Sequence, residues 1–442
     1  MEKIDSGLMV GYARASITPP DGMNMRGYGN HTHRLSTGAL DTLYATCIAF
    51  RDGDTTVLLY STDMLCADVS WTQEAREMLN AELGVPAENI QIGATHSHTA
   101  PAIGIDYLPA VAEWKIMYMD ALLATAKEAV ADLAPATMYG KKVMTEGQNY
   151  VRHYLMEDGT YAGSNFGDWK LAIKGHATDG DREMTLVKFV REGDKKDILL
   201  MNWQAHADMI GGTMLSADYV GAARAKVEAE TGLHFVFFLG ATGDQNPNSR
   251  IKEEKQNNNY KVYGEELAQI AIDTLPAITE KIEGQGIASK QETITYRSNK
   301  YGQDRLEDAM KATKHFRETG NVREANAIAT ANGFFSVFQC NGIVSCSDYP
   351  EDGQFTVNVH RIGGLGFVAA PFEMFSKSGL YIKQNSPYPF TIVSTVTNGY
   401  GNYFPSREAF TYGCYESYTA RFDIGIGEDT AEKYVELLKE IQ

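Results

Sequence analysis

The sequence predicts a mixed α/β (α+β) fold, in which mixed β-sheets are layered with flanking helices. Three observations carry this. Strand-length apolar runs occur in pairs joined by polar turns, stretches of helical period are interleaved with them irregularly, and no low-complexity linker or repeat divides the chain. A doubly wound parallel sheet would demand stricter alternation than this chain shows.

Residues 10–18 alternate weakly and run into the turn Pro19-Pro20-Asp21-Gly22, which predicts a strand. The apolar runs 43–50 and 56–60 flank Asp52-Gly53-Asp54, a hairpin signal. Ser70 with Gln73 has the form of a capping box for a helix over 71–83, closed by Gly84 and Pro86. Residues 89–92 read as a short buried strand that ends in the small-residue loop Gly93-Ala94-Thr95-His96-Ser97-His98-Thr99-Ala100-Pro101. A helix over 110–133 follows and stops at Pro135, and a strand pair at 184–190 and 198–203 surrounds Glu192-Gly193-Asp194. A helix over 222–230 ends at Gly232, and the strand 235–239 feeds Gly240-Ala241-Thr242-Gly243-Asp244. That loop has the glycine spacing of an anion cradle but no Gly-Lys-Ser/Thr, so it is not a P-loop. Helices are predicted at 262–274 and 304–331, strands at 355–360, 365–370 and 391–396, and a closing helix at 430–441.

Composition narrows the function. Forty basic residues against 57 acidic ones leave a net charge of −17, which argues against nucleic acid and anionic membranes, since both require a positive footprint. No apolar stretch is long enough to insert in a bilayer, and the N-terminus lacks the basic-then-apolar order of a signal peptide. The five cysteines are odd in number, scattered and free of any Cys-x-x-Cys, which fits a reducing cytoplasm; Cys47 and Cys66 read as core thiols.

Two imidazoles at i and i+2, as in His96 and His98, converge on one point when the backbone turns between them, and binding a cation is a common reason for the arrangement. His-x-His pairs also occur as hydrogen-bonded loop residues. Three further stretches place a polar residue where an apolar strand ends: Asn202 to Asp208 with His206, Ala369 to Glu373, and Thr397 to Tyr403. Two imidazoles and a carboxylate form a recurring ligand set for catalytic zinc. Asp63, Asp218 and Asp244 are candidates either to orient ligand histidines or to cap loops. His31 and His33 read as a substrate-facing loop in which the sequon Asn30-His31-Thr32 has no role, and His153 and His176 as polar-loop histidines.

Together these stretches resemble the neutral (non-lysosomal) ceramidase family, in its short single-domain bacterial form. The matching residues are Thr18-Pro19-Pro20 with Arg26-Gly27-Tyr28, Thr95 to His98, Asn202 to His206, Ser216-Ala217-Asp218-Tyr219, Gly243 to Pro247, Pro371-Phe372-Glu373, and the tail from Asn398 to Glu416. The resemblance implies one catalytic domain over residues 9–442, without the C-terminal sandwich domain of secreted ceramidases. It implies zinc (Zn2+) held by His96, His206, Glu373 and Tyr403. It also implies that His98, Arg152 and Tyr415 bind the substrate carbonyl and its developing oxyanion. Phe372 stands where the family often has glycine.

The family's Gly-Asp-x-Ser-Pro-Asn motif, whose serine is the proposed nucleophile, reads Gly243-Asp244-Gln245-Asn246-Pro247-Asn248 here. Asp244 and Asn246 are counted with the site. An amide cannot be that nucleophile, which leaves metal-activated water, with Asn246 orienting water or a carbonyl. The expected function is a zinc-dependent hydrolase acting on a small soluble amide or ester. The alternatives are a metal-dependent lyase, isomerase or glycosidase acting on a small polyhydroxylated molecule, and a non-catalytic metal- or ligand-binding protein. The sequence assigns no oligomeric state.

Overall fold

The computed structural model describes residues 7–28, 34–163 and 166–442; His31, His33 and the N-terminal residues before Gly7 lie outside these ranges. Among the described residues the main sheet has nine strands. Eight of them are β1 (Met9–Ser16), β2 (Tyr44–Asp52), β3 (Thr55–Thr62), β4 (Ile90–Ala94), β5 (Ala134–Met144), β6 (Glu183–Arg191), β7 (Ile198–Trp203) and β8 (His234–Leu239). They lie in the order β8-β7-β6-β5-β1-β2-β3-β4, and the short strand Glu280–Lys281 adds against β5. A second sheet contains β9 (Ile287–Arg297), β10 (Asp352–Ile362), β11 (Leu365–Ala369) and β12 (Phe390–Ser394), in that order.

Side-chain alternation along the strands sets up the layers. In β3, Leu58 and Tyr60 point into a core shared with α1 (Val69–Leu83), α2 (Pro109–Ala131), α3 (Asp218–Thr231) and α4 (Tyr260–Thr274), where Trp71, Trp114, Trp203, Tyr219 and Tyr263 are buried. Val57 and Leu59 point the other way, into a core where Phe50, Phe189 and Phe238 meet Ile362, Phe367 and Ile392 of the second sheet. Beyond that sheet, Val359, Val368 and Val393 pack against two helices from later in the chain. The result is four layers, helix–sheet–sheet–helix. The mixed α/β architecture predicted from the sequence holds.

A side lobe of α5 (Leu306–Thr319), α6 (Val322–Ala331) and α7 (Val337–Ser347) has its own small core around Phe334, Cys340 and Ile343. The outermost layer consists of α8 (Ser376–Asn385) and α9 (Ile426–Glu440). The single helix predicted over 304–331 is two: Gly320 ends the first at φ 66° and the Asn321 side chain caps the second by accepting from Glu324 N. Helix α1 is capped by Asp68, whose carboxylate accepts from Ser70 N and Trp71 N, rather than by Ser70. All five cysteines are buried and free. Among the described residues no helix is long and apolar enough to cross a membrane.

The feature that positions the site is a strap. Thr395 N donates to Leu239 O at the edge strand β8 (2.9 Å), while Ala94 N donates to Val396 O (3.2 Å) and Asn398 N to Ile92 O (2.9 Å) at the opposite edge strand, β4. Residues 395–398 therefore tie the two edges of the main sheet together. The geometry requires left-handed backbone at Val396 (φ 51°) and Asn398 (φ 59°), and for a β-branched valine this is a genuine strain.

Candidate functional site

Parallel pairing occurs between β3 and β4, β7 and β8, and β11 and β12, and the site lies where strands of these pairs end. His96 follows β4, His206 follows β7, Glu373 follows β11 and Tyr403 follows β12. Ligand-bearing loops collect at the carboxyl ends of strands because the chain changes direction there. His96 itself is at φ 65°, another left-handed non-glycine position beside the two in the strap. His98 N donates to Ala207 O (3.0 Å), which ties the two histidine loops together.

The imidazoles are oriented by backbone. His96 Nδ1 lies 2.6 Å from Leu65 O and His206 Nδ1 lies 2.8 Å from Thr242 O. A carbonyl only accepts, so in both rings the proton sits on Nδ1 and the Nε2 lone pair faces inward. Those lone pairs meet a carboxylate, with Glu373 Oε2 3.1 Å from His206 Nε2 and 3.4 Å from His96 Nε2. All three side chains are buried. Such a group is stable only with added positive charge among its acceptors. Consistent with that demand, burial would lower His96, but the Glu373 carboxylate outweighs it and raises the imidazole pKa. Burial would likewise raise Glu373, but His96 and His206 hold its carboxyl well below the usual range. The donor set, inward nitrogens plus a carboxylate oxygen, fits a divalent metal of the zinc type.

His98 completes a cluster in which one nitrogen each from His96, His98 and His206 lie within 4.8 Å of one another. No carbonyl fixes its tautomer, because its buried Nδ1 is without a partner among the described residues. Burial, reinforced by the neighbouring His96 and His206, lowers its pKa to about 3, so it is neutral at pH 7. Tyr403 lies alongside, its ring stacked 6.5 Å from that of His206, and burial with the Glu373 charge raises its hydroxyl pKa. Tyr415 packs edge-on against Tyr403 at 5.7 Å.

Arg152 reaches this centre because Tyr150–Val151 pairs with Gln245–Asn246 as a two-residue ladder. Its Nη1 lies 3.5 Å from His206 Nε2 and 3.4 Å from Asn246 Oδ1, while Nη2 bonds Gly243 O (2.9 Å) and Glu416 Oε1 (2.6 Å). Asn246 therefore stands beside the guanidinium, at the edge of the site nearest His206.

Asp218 and Asp244 cap loops and Asp63 is in an ion pair; among the described residues none of the three bonds His96, His98 or His206. Asp63 makes a two-oxygen pair with Arg224 (2.7 and 2.8 Å). Asp218 accepts from Met209 N, Ile210 N and Tyr219 N. Asp244 accepts from Ser376 N (2.7 Å) and Ser376 Oγ (2.8 Å), and its carbonyl accepts from Arg152 N (2.9 Å). The glycine loop of residues 240–244 cradles backbone instead of an anion. Gly243 N donates to Met374 O, and a Cβ at this position would lie 2.5 Å from Glu373 O. His176 is turned away, bonded to Val151 O and Glu254.

Two contributors escaped the sequence reading. Tyr400 donates its hydroxyl to Glu373 Oε1 (2.8 Å), and Glu416 bridges Arg152 and His153 (2.6 and 2.9 Å). Both lie within the tyrosine-rich tail already matched as a motif, where their neighbours Tyr403 and Tyr415 drew the assignment.

The fold is similar to that of the neutral ceramidase from Pseudomonas aeruginosa, at 15% identity and a TM-score of 0.72, covering 98% of this chain and 74% of that one. A second solved structure, a ceramidase complexed with C2, gives 16% identity and a TM-score of 0.72 over 99% of this chain and 75% of that one. No curated protein matches the sequence. The family model for the neutral/alkaline non-lysosomal ceramidase N-terminal region matches residues 8–248, more than half of the 442 residues, and the chain therefore belongs to this ceramidase family of hydrolases.

Proposed function

We propose that this chain is a zinc-dependent hydrolase that cleaves a small soluble amide or ester with metal-activated water, and that residues 9–442 form one catalytic domain. The observation that carries the reading is the pair of carbonyl-anchored imidazoles whose lone pairs face a buried carboxylate, an arrangement that calls for a cation. His96, His206, Glu373 and Tyr403 would hold the metal. When bound, zinc supplies Lewis acidity and makes water acidic enough to react near neutral pH.

The protein's own groups supply the rest. Arg152, held by Glu416 and Gly243, offers its Nη1 donor to a substrate carbonyl, and Tyr415 offers a hydroxyl whose pKa is raised by burial, so it stays protonated and donates. His98 is neutral at pH 7, so its imidazole offers one ring N–H to the substrate carbonyl and the developing oxyanion. Asn246 forms no acyl intermediate; beside Arg152 it orients water or the carbonyl through its amide. The net charge of −17 and five buried free thiols, which suit a reducing cytoplasm, favour a small soluble substrate over a membrane lipid.

The test is elemental analysis of purified protein, then turnover of N-acyl and ester substrates in 18O-labelled water. The expected result is about one metal per chain and one solvent oxygen in the acid product. Absence of metal, or full activity in His96→Ala, would overturn the proposal. A product without solvent oxygen would move the reaction to the lyase or isomerase class.

A further inference from the structure

Tyr400 has two sides. Its hydroxyl faces Glu373, and its other surface walls a separate cavity of about 230 Å3. One wall of this cavity is a stripe of α1, with Val69, Thr72, Gln73 and Arg76 at the spacing that puts residues on one helix face. The opposite wall is one face of β10, with Gln354, Thr356 and Asn358 at every second position. Residues 398–401 close one side and Arg421 another.

Three features mark this cavity as built for a ligand. First, its lining includes two arginines and no aspartate or glutamate, in a chain of net charge −17. Second, neither arginine is in a salt bridge among the described residues. Arg76 donates Nε to Ala87 O (2.8 Å), with Glu88 the acidic group acting on it, and Arg421 lies over the Tyr349 ring at 4.7 Å. Third, Asn358 is 2% exposed, yet its Oδ1 has no hydrogen-bond partner among the described residues. A buried amide oxygen without a donor destabilises the protein, and a ligand donor would remove that cost. The guanidinium groups call for an oxyanion and the amide oxygen calls for an N–H or O–H on the same molecule. The volume is below the roughly 300–1,000 Å3 of sites for drug-sized molecules, so the ligand is small.

We propose that this cavity is a second ligand site, distinct from the metal centre, that takes a small oxyanion bearing a hydrogen-bond donor: a hydroxy or amino acid, or monohydrogen phosphate. Tyr400 forms one wall of it, so a bound anion has direct contact with the residue that positions Glu373. The site stands whether or not the chain is a hydrolase.

Calorimetric titration of the metal-loaded protein tests it, with glycolate, acetate and inorganic phosphate as probes. Glycolate and phosphate are expected to bind, and Arg76→Gln and Arg421→Gln each to weaken them about tenfold, as loss of a charge-assisted hydrogen bond predicts, while bound metal is unchanged. Asn358→Leu is expected to weaken glycolate, which carries the donor, and to leave acetate as it was. Absence of binding by glycolate and phosphate, or binding unchanged in both arginine variants, places the anion elsewhere and overturns the proposal. Equal loss of acetate and glycolate in Asn358→Leu overturns the donor requirement. If an arginine variant fails to fold, a wild-type crystal soaked in glycolate decides, since the proposal requires the ligand to lie against Arg76, Arg421 and Asn358.

Discussion

Two buried clusters of titratable groups lie side by side in this protein, and their charge balance is opposite. In one, Glu416 is flanked by Arg152 (2.6 Å) and His153 (2.9 Å), so the carboxylate finds its countercharge within the protein. In the other, Glu373 is flanked by His96 and His206, whose ring protons are already committed to Leu65 O and Thr242 O. Both clusters contain three potential metal-binding groups, since Cys414 lies close to His153 and Glu416. Burial pushes the Cys414 thiol well above its ordinary pKa, and Glu416 already has its cation in Arg152. Residue type alone does not separate the two clusters; the charge placed directly beside each carboxylate does.

The sharpest break in this comparison comes from removing each carboxylate in turn. Glu373→Ala is expected to abolish stoichiometric metal and reduce activity to background, whereas Glu416→Gln keeps the metal, both read by elemental analysis of purified protein. Glu416→Gln instead costs stability, about 3–5 kcal/mol, because it leaves Arg152 buried without its partner. Denaturant unfolding measures that loss. The same pairing gives a pH signature. Burial would raise the Glu416 carboxyl, but Arg152 and His153 hold it down at about 2. A depressed carboxylate contributes stability that is complete above the unfolded value of about 4.3 and is lost as pH falls. Wild type is therefore expected to lose stability between about pH 4.3 and 2, and Glu416→Gln to show a flatter profile in that window.

Much of this was legible in the sequence, because the strands that carry the site are short, mostly apolar and fully buried runs that give way to polar loops. Residues 90–94 lead to His96 and 198–203 to His206, and in both the change of character coincides with the strand end. Strands β5 and β9 were not legible. β9 alternates between half-buried and exposed positions and carries Lys290, Gln291 and Glu292, so it lacks an apolar run. Gly320-Asn321 was a readable helix break, glycine at a C-terminus followed by an asparagine cap, inside what periodicity alone made one helix. The layering was not legible, because which faces stack is decided by long-range packing. The strap of residues 395–398 was hidden for a related reason: it makes hydrogen bonds to two distant strands through strained backbone, and strain leaves no pattern in residue type. Tyr400 was hidden because a tyrosine among tyrosines carries no positional signal.

Smaller effects refine the boundary between the two clusters, and Arg152 is that boundary, since it touches His206 and Asn246 on one side and Glu416 on the other. Arg152→Lys keeps a cation for Glu416 but loses the fork that reaches both ways. It is expected to fold with full metal and to lose about 10²–10³-fold in kcat, with KM little changed, as for removal of one oxyanion donor.

Asn246→Ser has the smallest expected effect and tests how the histidine-facing side works. It restores the serine of the family motif but gives up the long 3.4 Å bond from Arg152 Nη1. A serine needs a base within reach to become a nucleophile, and His206, which shares Arg152 Nη1 with Asn246, has its proton fixed on Nδ1 and its Nε2 facing Glu373. The variant is therefore expected to stay within about tenfold of wild type, one weak hydrogen bond's worth, and to form no acyl-enzyme by intact mass during turnover. An adduct at position 246 would instead mean that this chain retains a serine-ready site from which only the nucleophile is missing.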